Sequence, residues 1–344
     1  MPPLGLRMAT RIIDITTTND GINGIPDPII LRQPTDDLYR GLFDDVARRL
    51  TDSEDQRVIN HAMDELCMAL QERRLKSDEA DWKRFISGAR QHPLASLVHQ
   101  DPFTFRAFSK PRGYAGDAEM IDFIYGREEG WAAPPAERIG QRVFEYTTLS
   151  PASEGVRARR AFVATCIDRL AEDRSRPHIL SIAAGHLREA GVSSAVRRRR
   201  TGRFVALDAD AHSAARVREC YSPFGVETVT ASFRRLFGES TVGKDFDFVY
   251  STGLFDYLNQ RTGRRLVAAM FNMLRPGGSL MVANFLPEVR DIGYMETFMD
   301  WNLIYRNRRE MVDLTMEIPE SEIKWIRLCS EESRNIVFLH VARA

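Results

Sequence analysis

The chain carries no surplus of either charge, since 48 basic residues balance 48 acidic ones. That balance removes the electrostatic footprint of a nucleic-acid binder or a protein drawn to an anionic membrane, so a small-molecule partner is expected instead. Long apolar runs are also missing. The stretch from Leu280 to Leu286, interrupted by Asn284, falls far short of the roughly 20 residues that cross a bilayer, and the first residues show no basic-then-apolar secretion signal. A cytoplasmic protein is expected, with no membrane or nucleic-acid partner, as monomer or homodimer. Cysteine is scarce: Cys67, Cys166, Cys220 and Cys329 are widely spaced and form no C-x-x-C pair, which indicates neither a disulfide framework nor a metal site. Internal repeats and low-complexity tracts are absent.

What is present divides the 344 residues into three parts. Residues 1–34, with Gly24-Ile25-Pro26-Asp27-Pro28, read as an irregular leader. Residues 35–140 read as a helical cover: Leu38, Leu42, Phe43, Val46 and Leu50 fall at spacings of three and four, as do Val58, Ile59, Met63, Leu66 and Leu70. A third helix is predicted from Ser77 towards Arg90, and a fourth over "AEMIDFIYG" before a connection through Gly130 and Pro134-Pro135. From residue 141 the period changes. After a helix over 156–173, strands at 178–182, 204–207, 227–230, 246–251 and 279–284 alternate with helices from about Leu187, over 211–220 and over "TGRRLVAAMFNML". Such alternation predicts an α/β, doubly wound, mainly parallel sheet with helices on both faces. "SEIKWIRLCS" and "NIVFLHVAR", separated by a short polar stretch, are expected to form an antiparallel hairpin at the sheet edge. The run Arg197–Arg200 falls between a helix and a strand and reads as a solvated corner.

Ligands of a doubly wound sheet bind beyond the carboxyl ends of its strands, where the strand order reverses. The first such loop, "SIAAGHLREAG", is poor in glycine. A dinucleotide turn of the form G-x-G-x-x-G cradles a pyrophosphate, whereas Ala183, Gly185 and Leu187 occupy the alternating positions here. A nucleoside without phosphate asks less: one close backbone approach at Gly185, a carboxylate for the ribose, and apolar walls. Asp208, 23 residues beyond Gly185 at the end of the second strand, is placed to supply that carboxylate; the competing role for Asp208 or Asp210 is capping the next helix. His186 is weighed as a general base, and an exposed polar residue at a helix start is the role expected of it.

"ILSIAAGHL", "FVALDAD", "FDFVYSTGLFDYL" and the "LRPGG" turn with its following strand together resemble the class I S-adenosylmethionine-dependent methyltransferases, over about 140–344. The resemblance implies a seven-stranded Rossmann-like domain over 141–344 with S-adenosyl-L-methionine as cosubstrate. It implies cofactor contacts at Ala183 and Gly185, at Asp208 and Ala209, at Ser232 by the adenine, and at Ser251 and Gly253 near the sulfonium. Ser181 departs from the acid usual at that position. "FSKPRGYAGDAEM" and "YMETFMDWNLIYR" resemble a narrower bacterial group, which contains 3-hydroxypalmitate methyl ester-type methyltransferases and azetidine-2-carboxylate synthases. In that loop Tyr114 offers a face to a sulfonium and Arg112 a partner to the cofactor carboxylate. Tyr114, Asp117 and Tyr257 are the candidate catalytic side chains; Tyr125, Phe255, Tyr294, Trp301 and Tyr305 are candidate substrate or lid walls. In "YMETFMDWNLIYR", Met295, Phe298, Met299, Leu303 and Ile304 are expected to form one helical stripe. Three outcomes stay open: methyl transfer to a small carboxyl, hydroxyl or amine acceptor in secondary or signalling metabolism, cyclisation of the cosubstrate itself with release of methylthioadenosine, or a non-catalytic scaffold that binds it.

Overall fold

The computed structural model describes residues 34–238 and 242–344; the leader expected over residues 1–34 lies, but for its last residue, outside them. Seven helices come first: α1 (Pro34–Asp52), α2 (Gln56–Lys76), α3 (Glu79–Gln91), α4 (Pro93–Val98), α5 (Pro102–Ser109), α6 (Ala118–Glu129) and α7 (Arg138–Thr147). Local chemistry sets many of their starts. Asp55, Asp78, Asp101 and Asp117 each accept a backbone N–H from the first turn of the helix that follows, and prolines open α4 and α5. The short helices α4, α5 and α7 had no separate signal in the periodicity.

The long helix α8 (Pro151–Asp173) leads into the alternating part. Its order is β1 (Ile179–Ile182), α9 (Arg188–Val192), α10 (Ser194–Arg197), β2 (Phe204–Asp208), α11 (Ala211–Tyr221), β3 (Val226–Thr230), β4 (Phe246–Ser251), α12 (Gln260–Phe271) and β5 (Leu274–Phe285). The chain closes with α13 (Ile292–Phe298), α14 (Arg308–Val312), β6 (Ile323–Ser330) and β7 (Ile336–Arg343). The seven strands form one sheet in the order β3-β2-β1-β4-β5-β7-β6. Strands β1 to β5 pair in parallel, β7 runs antiparallel to β5, and β6 hangs from β7 as the edge of the expected hairpin. The order reverses between β1 and β4, which puts the ligand-binding rim beside the loops after those two strands.

Strand periodicity sorts side chains between two cores. Ile179, Met281, Ala283 and Phe338 join a core shared with the buried faces of α1 to α8, while Leu180, Val282, Leu339 and Val341 face α12. The N-terminal helices thus bury their apolar stripes against one face of the sheet.

Three local expectations change. The "LRPGG" segment is not a turn: Leu274 already pairs with Phe246, and a register shift before Phe248 absorbs the proline and glycines as an irregularity within β5. The helix before it accordingly ends at Phe271 rather than at Leu274. Nor does the "YMETF" helix continue to Ile304. It stops at Phe298, and the chain runs on without regular structure because Ile304 N–H donates to Asp256 O and Arg306 N–H to Phe285 O.

Arg306 explains that path. Its guanidinium is 1% exposed and donates to Phe255 O at 2.7 Å, Asn284 Oδ1 at 2.6 Å, Gln260 Oε1 at 2.8 Å and Leu258 O, so it clamps the loop after β4 to the end of β5. Arg306→Met keeps much of the volume but strands several buried acceptors, and urea unfolding should show a loss of about 2–4 kcal/mol. A change below about 0.5 kcal/mol, the range of ordinary surface substitutions, would contradict the clamp.

Candidate functional site

A cavity of about 440 Å³ opens at the carboxyl rim of β1, β2 and β4, roofed by the loop before α6 and by α6 itself. That volume lies in the range of about 300–1,000 Å³ typical of small-molecule sites. The loop after β1 forms its floor. Ala183, Gly185 and Leu187 all have positive φ (53°, 54° and 50°), so the turn adopts alternating left-handed conformations although only one of the three is glycine. Each non-glycine residue held this way costs on the order of 1 kcal/mol, a strain that concentrates at functional sites. Gly185 has a second constraint, because a Cβ there would stand 3.3 Å from that of Ala118 on α6.

Asp208 faces this turn. Its Oδ2 accepts Gly185 N–H at 2.7 Å and its Oδ1 accepts Asp210 N–H at 2.8 Å. Burial raises its carboxyl above the ordinary range, against the pull of those two N–H groups. The capping role falls to Asp210, which accepts His212 N–H and the Ser213 hydroxyl at the start of α11. Asp208 is left to line the cavity.

The other expected residues separate into two sets. Tyr114, Tyr125, Ala183, Gly185, Asp208, Ala209, Ser232, Gly253 and Tyr257 line the cavity together, with Leu207, Ala231, Phe233 and Leu254 as apolar wall. Tyr114 and Tyr257 meet edge to face, 6.5 Å between ring centres. The Tyr114 hydroxyl is pushed up to about 12 by burial and by Asp208, Asp210 and Asp117. Seven residues stand elsewhere. Arg112 is held by Asp210 at 2.8 Å and Glu119 at 3.1 Å, tying the loop before α6 to α11. Asp117 is fully buried, caps α6 through Met120 N–H and pairs with Arg106 at 2.9 Å. The Ser251 hydroxyl is spent on Ile182 O at 2.8 Å. Phe255 belongs to the core on the α12 face. Tyr294 is bonded to the Thr104 hydroxyl at 2.9 Å, and Tyr305 packs under the Arg74 guanidinium, 5.3 Å from its ring centre. Trp301 sits behind the wall rather than in it, with Nε1 donating to the Tyr257 hydroxyl at 2.8 Å.

Four further cavity residues escaped the sequence reading, Arg159, Glu189, Asp122 and Arg188, and His186 lines the cavity with them. The Arg159 guanidinium is 7% exposed, donates to Thr252 O, and forms no salt bridge among the described residues. Its signal was faint but present: it lies three residues after Val156 and four before Val163, on the apolar stripe of α8. Glu189 is half-buried, accepts the Tyr250 hydroxyl at 2.7 Å, and has its carboxyl raised by burial. His186 is a correction, for it is 8% exposed and its Nδ1 lies 2.7 Å from Asp122 Oδ2. Burial would raise the Asp122 carboxyl, yet hydrogen bonds from Arg188 and His186 outweigh that and hold it below its ordinary value. Among the described residues no cluster of three or more His, Cys, Asp or Glu is placed to hold a metal, and no helix is long and apolar enough to cross a membrane.

Residues 179–278 match the family profile of a methyltransferase domain. No curated protein sequence matches the chain. The fold is similar to a solved structure described as a possible exported protein from Bordetella parapertussis, at TM-score 0.51 and 14% identity over 84% of this chain and 97% of that one. Weaker likenesses include the N-methyltransferase NodS from Bradyrhizobium japonicum in complex with S-adenosyl-L-homocysteine (13% identity, 57% and 89% coverage, TM-score 0.40). Magnesium protoporphyrin IX methyltransferase from Synechocystis with bound S-adenosylmethionine is another (10%, 56% and 84%, TM-score 0.39). The strand order is that of a Rossmann-like α/β fold, and residues 179–278 within it match a methyltransferase domain.

Gly116 tests how the roof meets the wall. A Cβ at this position would stand 2.3 Å from the Tyr257 hydroxyl and 3.1 Å from Trp301 Cζ2. Gly116→Ala should therefore break the Trp301–Tyr257 hydrogen bond and change tryptophan fluorescence, with a stability loss of about 1–3 kcal/mol from overpacking. Unchanged fluorescence and stability would show that the loop is not seated on this wall.

Proposed function

We propose that the cavity binds S-adenosylmethionine and that the protein transfers its methyl group to a small acceptor. The observation that carries this reading is Asp208, held at the rim by two backbone N–H groups with its carboxylate beside a left-handed turn. A carboxylate there accepts both ribose hydroxyls and repels a phosphate. The rest of the cavity fits the same compound. Leu207, Ala209, Ala231 and Phe233 offer apolar surface to a purine, with Ser232 at its edge. At the other end, the Arg159 guanidinium suits an α-carboxylate and the Glu189 carboxylate suits an α-ammonium. Between them Tyr114, Tyr125 and Tyr257 present ring faces and edges to a sulfonium.

The bound sulfonium would supply both the methyl group and the leaving thioether. What remains for the chain is to orient the acceptor and exclude water, a contribution that reaches about 7–11 kcal/mol when alignment is good. The roof formed by α6 and the Tyr114 loop serves exclusion. Arg112, through Asp210 and Glu119, holds that loop in place and contributes indirectly.

Incubation of the protein with S-adenosylmethionine, alone and with carboxyl, hydroxyl and amine acceptors, tests the reaction. Adenosylhomocysteine formed only when an acceptor is present is the expected product. Methylthioadenosine released without any acceptor would instead favour intramolecular cyclisation, and intact cosubstrate despite binding would favour a scaffold. Asp208→Asn should weaken adenosylhomocysteine binding about 10–100-fold by calorimetry, corresponding to about 1.5–3 kcal/mol for charge-assisted hydrogen bonds. Because burial raises the Asp208 carboxyl, affinity should also fall on acidification sooner than for an exposed carboxylate, as the acceptor form is lost. An affinity unaffected by Asp208→Asn would remove the ribose role.

A further inference from the structure

The turn beside Asp208 carries a pair to which the cosubstrate contacts proposed above assign no part. His186, on the turn after β1, lies with Nδ1 2.7 Å from Asp122 Oδ2, and Arg188 holds the same carboxylate from the other side, with Nε 2.7 Å from Oδ1. The Asp122 side chain comes from α6, so roof and floor of the cavity meet at this point. A carboxylate bound to Nδ1 selects the tautomer with hydrogen on Nδ1 and leaves the Nε2 lone pair free. Among the described residues Nε2 has no hydrogen-bond partner, and it is not one of the side-chain atoms sealed from solvent without one. His186 is one of the residues that line the cavity, which gives an unpartnered, unsealed Nε2 a route to a bound acceptor.

We propose that His186 is the general base of the transfer, positioned by Asp122, and that the acceptor is a neutral hydroxyl or amine rather than a carboxylate. The inference rests on the S-adenosylmethionine reading and names the acceptor class it left open. A carboxylate acceptor is already ionised and has no proton to lose, so a carboxylate-anchored imidazole would be idle. For a hydroxyl or amine, the acceptor O or N forms a bond to the methyl carbon while the C–S bond breaks, its electron pair staying on sulfur. The acceptor's proton passes to His186 Nε2. The resulting imidazolium is stabilised by the Asp122 carboxylate and later loses its proton to water. The charged groups around the ring are Asp122 from α6, Arg188 on the same loop and Asp208 from the end of β2.

Two measurements on the full-length protein test this. The first needs no acceptor: nitrogen-15 spectra of the histidine rings in the adenosylhomocysteine complex should show His186 protonated at Nδ1 and bare at Nε2. The opposite tautomer overturns the proposal. The second follows labelled methyl transfer to catechol, benzyl alcohol, benzylamine and benzoate. The hydroxyl or amine probes should be methylated in preference to benzoate. His186→Gln should lower that rate about 10²–10⁴-fold, the span of general-base catalysis. Adenosylhomocysteine affinity should change less than about threefold, or less than ~0.7 kcal/mol, which also shows that the variant folds. Asp122→Asn, which keeps an acceptor for Nδ1 but removes the charge, should cause a smaller loss. Transfer to benzoate alone, no transfer to any neutral probe, or a full rate in His186→Gln overturns the assignment while leaving cosubstrate binding intact. A protein with no affinity for adenosylhomocysteine overturns the underlying reading as well.

Discussion

The site depends on one half-buried carboxylate kept still. Asp208 stands at the end of β2, where the sheet order reverses one strand away, and two backbone N–H groups fix both of its oxygens. Such a group is expensive to bury without partners and useful when it has them, because little reorganisation is left when a ligand's hydroxyl groups arrive. Its neighbours respect the arrangement. Asp210 takes over the capping of α11, and the turn from Ala183 to Leu187 accepts left-handed strain so that Gly185 N–H points at Asp208.

A second theme is how the helical cover is attached. Hydrophobic burial alone would let the N-terminal helices settle on the sheet in more than one way, since apolar contact is not directional. Charged contacts remove that freedom. Arg112 reaches from the loop before α6 to Asp210 on the rim, Asp122 on α6 engages His186 and Arg188 on the turn after β1, and Arg90 on α3 donates to Thr297 O and pairs with Asp300 beyond α13. Several of these pairs are partly or wholly buried, and their value lies as much in register as in stability. The same logic operates inside the sheet domain, where buried Arg306 fixes the loop that presents Tyr257.

The sheet was legible because its strands are short, apolar and regularly spaced, and because the change of period near residue 150 is abrupt. Asp208 and Gly185 were legible for the same reason: topology, not composition, places them. Failures came where a long-range partner overrides a local pattern. The stripe Met295 to Ile304 is helical by spacing, but the anchored Arg306 pulls its second half straight. Arg112 and Asp117 carry the right chemistry for a ligand and give it to Asp210, Glu119 and Arg106 instead. Arg159 and Glu189 were overlooked because a charge on a helix usually faces water, and only the assembled cavity shows that both line it; His186, set aside as an exposed polar residue, lines it too.

The account stands on an adenosyl nucleoside lying along the rim with its sugar on Asp208. A crystal structure of the adenosylhomocysteine complex examines that directly. Both ribose hydroxyls should lie within hydrogen-bonding distance of the Asp208 oxygens, with the amino-acid end beside Arg159 and Glu189. A sugar directed away from Asp208, or a cavity that takes up a dinucleotide with its phosphates on the 183–187 turn while rejecting adenosylhomocysteine, would contradict it.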